Sequence, residues 1–284
     1  MQTKQSLRSF TYFFHVPLLL GVFIWTASGS AQVSTWKESR AQHFGLFQSL
    51  HQSQGLVTDQ KGNVWYSSNY TLTRCQTWTQ CTRGSNDDAI PQDIKALGGD
   101  HIGDIDYANG FIYAPIEDGD GFKRPFVGIY QSEDLQFVKS IALSSQWQPD
   151  GVPWIAVDAA NQTLVTSQYE RVNSINFYEL SLGRPLRQLS LSTELNSVQG
   201  SKVWKNHLYL TANNANEGFA VYDVDLSSGN VQKLFKINGE LSEVEGLALV
   251  ANSADKSVNE FYILGLTGKK MGRRTVVYQW KREG

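Results

Sequence analysis

The chain repeats itself five times, and this repetition leaves it few architectures to adopt. The segment "QGLVTDQKGNVWYSS" (54–68) lies over "IGDIDYANGFIYAPI" (102–116) without a gap, so that Gly55 meets Gly103, Gly62 meets Gly110 and Trp65 meets Tyr113. A third copy, "PWIAVDAANQTLVTS" (153–167), keeps the apolar alternation and has Asp158 where the first has Asp59. The fourth, "QGSKVWKNHLYLTA" (199–212), is one residue shorter, and the fifth, "EGLALVANSADKSVNEFYILG" (245–265), has a longer turn. Anchored on residues 55, 103, 154, 200 and 246, the copies are spaced by 48, 51, 46 and 46 residues.

A period of this length with four alternating strands per unit is that of a β-propeller blade. The fourth unit shows the pattern best. Strands are expected at Val198–Val203, His207–Ala212, Gly218–Val224 and Val231–Ile237, separated by turns at Lys205-Asn206, 213–217 and Ser228-Gly229-Asn230. Each strand alternates apolar and polar residues, as a sheet packed between two neighbours requires. The fifth unit has a third strand, "RTVVYQW" (274–280), and no fourth. The spare N-terminal segment "AQHFGLFQSL" (41–50) is expected to supply it, closing the ring and removing two exposed edges. The fold class is therefore all-β, a five-bladed β-propeller. A six-bladed ring is the alternative and needs a sixth repeat that the chain does not show.

The blade signature Gly-aliphatic-x-x-Asp-x-x-Gly-Asn-aliphatic-Trp, at 55–65, resembles the propeller superfamily of NHL-repeat proteins, streptogramin lyase and the SMP-30/gluconolactonase group. The resemblance covers residues 51 to 266 and implies the fold. Gluconolactonase-like enzymes open blade one with a metal-binding Glu-Gly. Here that place holds Gln54-Gly55, and a Glu-Gly pair stands instead in blade five as Glu245-Gly246. Their activity is therefore not implied.

The ends and the composition place the domain. Lys4 and Arg8, the apolar run 16–27 and the small residues Gly29-Ser30-Ala31 have the layout of a secretory signal peptide. Twelve residues of helix reach about 18 Å, against a hydrocarbon core of about 30 Å. Residues 1–31 are thus expected to be removed, leaving 32–284 as one propeller domain, secreted or periplasmic, with no membrane span; a retained anchor is the alternative. Losing Lys4 and Arg8 takes the net charge from −2 to −4, which disfavours nucleic acid as a partner. In an oxidising compartment Cys75 and Cys81 of "RCQTWTQC" are expected to form a local disulfide.

Inner strands of a propeller all start at one mouth of the central channel, and the loops between second and third strands share that face. The inner-strand entrances bring His51 and Gln54, His101 and Asp104, Asp150, Gln199, and Glu243 and Glu245 to this ring. Loops on the same face add Glu117, Asp118 and Asp120, Glu170 and Arg171, three asparagines of blade four, and the basic "GKKMGRR" (268–274). Two chemistries follow. A Ca²⁺ ion would take Asp104, Asp150, Glu243 and Glu245, with amide oxygens of Gln54 or Gln199, since hard cations accept mixed oxygen sets. Alternatively, His101 beside Asp104, Glu243 or Glu245 would shuttle protons in a hydrolase or lyase. The structural alternative is that these groups are solvated or bonded to the backbones of neighbouring blades. There is no Gly-x-Ser-x-Gly elbow and no phosphate-binding glycine loop. The expected function is thus a monomeric propeller with a polar mouth that acts on a small polar or glycan-like ligand. The competing reading is a non-catalytic module holding a protein or a glycan.

Overall fold

A computed structural model describes residues 35–119, 123–214, 217–268 and 272–283. The expected signal peptide, like Asp120, lies outside the described residues. Five antiparallel sheets are arranged as the blades of a five-bladed propeller. Blade one is built from Gly55–Thr58, Val64–Ser67, Leu72–Cys75 and Gly84–Asn86, and blade three from Ala156–Asp158, Thr163–Thr166, Val172–Glu179 and Pro185–Leu195. Blade four, Gly200–Trp204, His207–Asn214, Gly218–Asp225 and Val231–Lys236, follows the sequence expectation to within two residues at every strand end. Cys75 and Cys81 are joined by a disulfide.

Blade five closes the ring. Its strands Glu243–Ala251, Val258–Thr267 and Arg274–Arg282 are completed on the outside by Trp36–His43, which pairs antiparallel with the last strand of the chain. The closing strand thus starts five residues earlier than the segment 41–50 suggests. Leu46–Ser49 is a single helical turn begun at Gly45, and Phe47 is 82 % exposed. The reason is that the outermost strand has only one packed face. The polar "WKESRAQH" suits it, and the apolar run after Gly45 is not needed there.

Between each pair of neighbouring blades lies one apolar wedge. Trp65, Ile90, Ile102 and Tyr130 fill the space between blades one and two. Trp154, Phe177, Leu210 and Tyr222 do so between three and four, and Val221, Phe261, Ile263 and Trp280 between four and five. Near the axis the backbones themselves touch. A Cβ on Gly246 would lie 2.7 Å from the Gly55 Cα, one on Gly200 would lie 2.5 Å from the Glu245 oxygen, and one on Gly103 would overlap the Pro153 carbonyl. These are anchor positions of the sequence repeat, so part of the period records close approach at the hub.

Blade two behaves differently from the others. Its inner strand is split into His101–Ile102 and Asp106–Ala108, followed by Phe111–Glu117, Phe126–Gln131 and Phe137–Ala142. At the break, Asp104 turns to blade three: its N–H donates to the Pro153 carbonyl and its carbonyl accepts from Ile155 N. Its carboxylate, 1 % exposed, crosses the axis. Oδ1 accepts from Leu56 N at 3.1 Å, and Oδ2 accepts from Ser201 N at 2.9 Å and from Leu247 N at 3.4 Å. The Lys202 ammonium donates to the same Oδ2 at 3.0 Å and to the carbonyls of Ile105 and Ser201. Asp106 accepts from Val157 N at 2.8 Å. Two carboxylates of blade two therefore bind inner-strand N–H groups of all four other blades.

This geometry gives two expectations. Asp104→Asn leaves the buried Lys202 with only Asp106, 4.0 Å away, as a counter-charge and should destabilise the protein by about 3 kcal/mol. Lys202→Met should cost less, because Asp104 can take a proton, and the double variant should recover part of the loss; strict additivity in denaturant melts would contradict the pairing. Separately, Gly246→Ala should prevent folding or lower the Tm far more than Gly62→Ala. A Cβ at Gly62 meets nothing within 4 Å and costs only the strain of a φ of 99°.

Candidate functional site

The entrance mouth carries most of the residues that the sequence assigns to it, with partners that the sequence does not reveal. His101 begins the inner strand of blade two and lies directly across the hairpin from Glu117. Nδ1 of His101 is 3.0 Å from Glu117 Oε1, and Glu117 Oε2 accepts from Val152 N of blade three at 2.6 Å. The carboxylate beside His101 is thus that of Glu117. Asp104, expected as its partner, is occupied by backbone N–H groups and Lys202 on the axis.

A second polar cluster joins blades three, four and five. Glu243 receives a hydrogen bond from Gln199 Nε2 at 3.1 Å on one oxygen and pairs with Arg273 Nη1 at 2.7 Å on the other. Glu245, two residues deeper and 2 % exposed, points to the same region. Burial holds its pKa well above the ordinary 4.5, and the nearby Glu243 and Asp104 carboxylates add to this while Arg273 opposes it. Burial likewise pushes Asp104 up to about 7, against the pull of Lys202 and the N–H donors. The Tyr169 phenol is raised by burial and lies near Glu243, Glu170 and Glu245. Asp150 stands apart, with Oδ2 accepting from Glu170 N at 3.0 Å.

Among the described residues, no three His, Cys, Asp or Glu side chains are placed to share a metal ion. Of Asp104, Asp150, Glu243 and Glu245, expected to hold calcium together, Asp104 and Glu243 lie near Glu245, and Asp150 stands apart. His51 also departs from the mouth. It faces Asp87 at 3.7 Å and lines a depression with Gly84, Ser85 and Cys81 at the outer edge of blade one.

The space at this mouth is a cavity of about 520 Å³ between blades one and five, lined by Gln54, Asn69, Tyr70, Leu266, Arg273 and Thr275 among others. Gln54 donates to Asn69 Oδ1 at 3.2 Å, and the Asn69 carbonyl accepts from Ile102 N, which links the cavity to His101. Two polar atoms of lining residues, Arg273 Nε and Thr275 Oγ1, have no hydrogen-bond partner among the described residues. The sequence reading missed Thr275 and Lys202. The signal for Lys202 was present, as a lysine in an inner strand ("GSKVW") where small or apolar residues are the rule.

No family model and no curated protein matches this chain. Its fold is similar to that of solved structures at low identity. A tail fibre of Staphylococcus aureus phage P68 superposes with a TM-score of 0.55 at 14% identity, over 88% of this chain and 53% of that one. Kuenenia stuttgartiensis hydrazine synthase gives 0.46 at 14% identity, over 78% and 58%. The chain thus spans little more than half the length of either structure, and the likeness concerns the fold alone. Among the described residues, no helix is long and apolar enough to cross a membrane.

The raised carboxyl of Glu245 has a definite effect on stability. The folded state holds a proton that the unfolded chain releases above about pH 4.5, so the stabilisation is present in acid and is lost as pH rises. Asp104 acts with the same sign between its ordinary 3.8 and about 7. Glu245→Gln should therefore gain on the native protein as pH increases, with a Tm difference that widens from pH 4 to pH 9 in calorimetry. A constant difference would show that Glu245 titrates normally.

Proposed function

We propose that this protein is an extracytoplasmic, monomeric propeller that binds a small polar, zwitterionic or glycan-like ligand at its entrance mouth. The observation that carries this reading is a metabolite-sized cavity at that mouth, walled by Arg273 together with Gln54, Asn69 and Tyr70. The partly exposed Arg273 guanidinium favours a ligand that supplies acceptors. Around it stand the Glu243 carboxylate, the amides of Gln54 and Asn69 and the linked His101–Glu117 pair. Leu46, Leu50 and Tyr70 give the rim an apolar part. Secretion is supported by the layout of residues 1–31 and agrees with the Cys75–Cys81 disulfide.

Hydrolase or lyase chemistry would use His101 as the proton shuttle, with Glu117 fixing the tautomer of its ring. A second reading, a non-catalytic surface for a protein or glycan partner, is favoured by the same apolar rim, where Leu50 and Tyr70 are at least half exposed.

A thermal-stabilisation screen of amino acids, hydroxy acids and oligosaccharides, with and without calcium, tests both readings. A ligand should raise the Tm saturably, and Arg273→Gln should weaken it at least tenfold while leaving the fold intact. A ligand whose affinity ignores Arg273→Gln, or a library with no hit, removes the small-ligand reading. Loss of the effect on chelation adds calcium to the site. Turnover that vanishes in His101→Ala while binding persists makes the protein an enzyme. Binding of a protein or glycan that is lost in Leu46→Ser/Leu50→Ser supports the second reading.

A further inference from the structure

A second cavity lies at the other end of the wheel, where the inner strands finish and turn into the second strands. It measures about 580 Å³ and every blade contributes to its wall: Gln60 from the first, Tyr107 from the second, Asp158 from the third, Trp204 from the fourth and Leu249 from the fifth. Lys202, bonded to Asp104, is part of its wall, and it shares no lining residue with the entrance cavity. A metabolite of ordinary size fits this volume.

On its lining three carboxylates stand with two lysines. Lys202 is one of these cations, and its charge is balanced by Asp104 at 3.0 Å. Lys205 stands on the rim, and its field acts on Asp255 of the neighbouring hairpin. Against these stand Asp106, Asp59 and Asp158, all on the lining. Asp106 is 4.0 Å from the ammonium already bonded to Asp104. Asp158 is 8 % exposed, yet its oxygens bond only to Asn161, through N at 3.1 Å and Nδ2 at 2.7 Å. Asp59 bonds Lys61 N and the N and Nδ2 of Asn63. Neither Asp59 nor Asp158 has an ion-pair partner among the described residues. The hairpin bonds satisfy oxygens and leave the charge uncancelled, and a buried carboxylate without a counter-charge favours any cation that can reach it.

The walls state what kind of cation. Tyr107 lies flat on Trp65, with ring centroids 5.2 Å apart, and the Trp204 ring is held by its indole N–H on the Lys256 carbonyl at 2.8 Å. These fixed aromatic rings, together with Val57, Val157 and Leu249, make the interior largely apolar. A hydrated metal ion gains little from such walls. An ammonium group with an apolar body gains from the carboxylates, from the ring faces and from burial of its carbon atoms. We propose that the exit mouth is a second binding site, for a small organic ammonium ion.

Isothermal titration of the full chain with n-butylammonium tests this, with tetramethylammonium, 1-butanol and butyrate as comparison ligands. The two ammonium ions should bind saturably and more weakly as sodium chloride is added, while 1-butanol and butyrate should bind at least tenfold less well. Asp158→Asn keeps an acceptor for the hairpin and removes the charge, and should weaken n-butylammonium at least tenfold. Asp59→Asn should act in the same direction and serves if the first variant fails to fold. Arg273→Gln, at the opposite mouth, should leave ammonium binding unchanged, so loss at one end is distinguishable from loss at the other. Equal binding of 1-butanol, or wild-type affinity in a folded Asp158→Asn or Asp59→Asn variant, overturns the proposal.

Discussion

Each inner strand of a propeller is the edge of its sheet, and its outward N–H groups face the axis with no further strand to accept them. In a ring of five blades there is little room there for water, so these donors must be satisfied from within. Asp104 and Asp106 do this. One carboxylate takes N–H groups from blades one, four and five, the other takes one from blade three, and both belong to blade two. Burying this much negative charge has a large desolvation cost, and Lys202 offsets it from across the axis. A buried ion pair seldom adds net stability over apolar packing. What it adds here is register, because a shift of any of these inner strands would take its N–H away from the carboxylate that accepts it.

This hub explains several features together. Blade two gives up continuity of its inner strand so that Asp104 can reach the axis and pair with blade three. Gly55, Gly200 and Gly246 lack side chains because the backbones beside them are already in contact. The two mouths are separated by the same arrangement, so each can carry a charge pattern independent of the other. One presents an arginine paired with a glutamate, and the other presents carboxylates with aromatic walls.

How far this was legible in the sequence depends on the range of each interaction. The blades were readable because strand alternation and turn residues act locally and repeat. Closure by the N-terminus was readable because blade five lacked a strand, though the strand chosen was the polar 36–43 and not the apolar 41–50. His101, Gln199, Glu243 and Glu245 were assigned to the mouth from topology alone. Their partners were not readable. His101 meets Glu117 because hairpin register sets them opposite, and Asp104 is drawn away from it by three backbone donors from blades far off in the chain. A glycine before an aspartate in an inner strand, and a lysine in another, are the local traces of that long-range bond.

The hub also decides where chemistry can occur. Every oxygen of Asp104 and every proton of the Lys202 ammonium has a partner inside the wheel, so using either for a ligand would break bonds that hold blades together. Groups at the mouths are under no such obligation. Glu243 and Arg273 are anchored at one end and still partly exposed, and Glu117 supports His101 while the imidazole stays accessible. A propeller of this size therefore gives up the axis to stability and leaves recognition to the first turn of residues above and below it. At those positions a substitution need not disturb the bonds that hold the blades together.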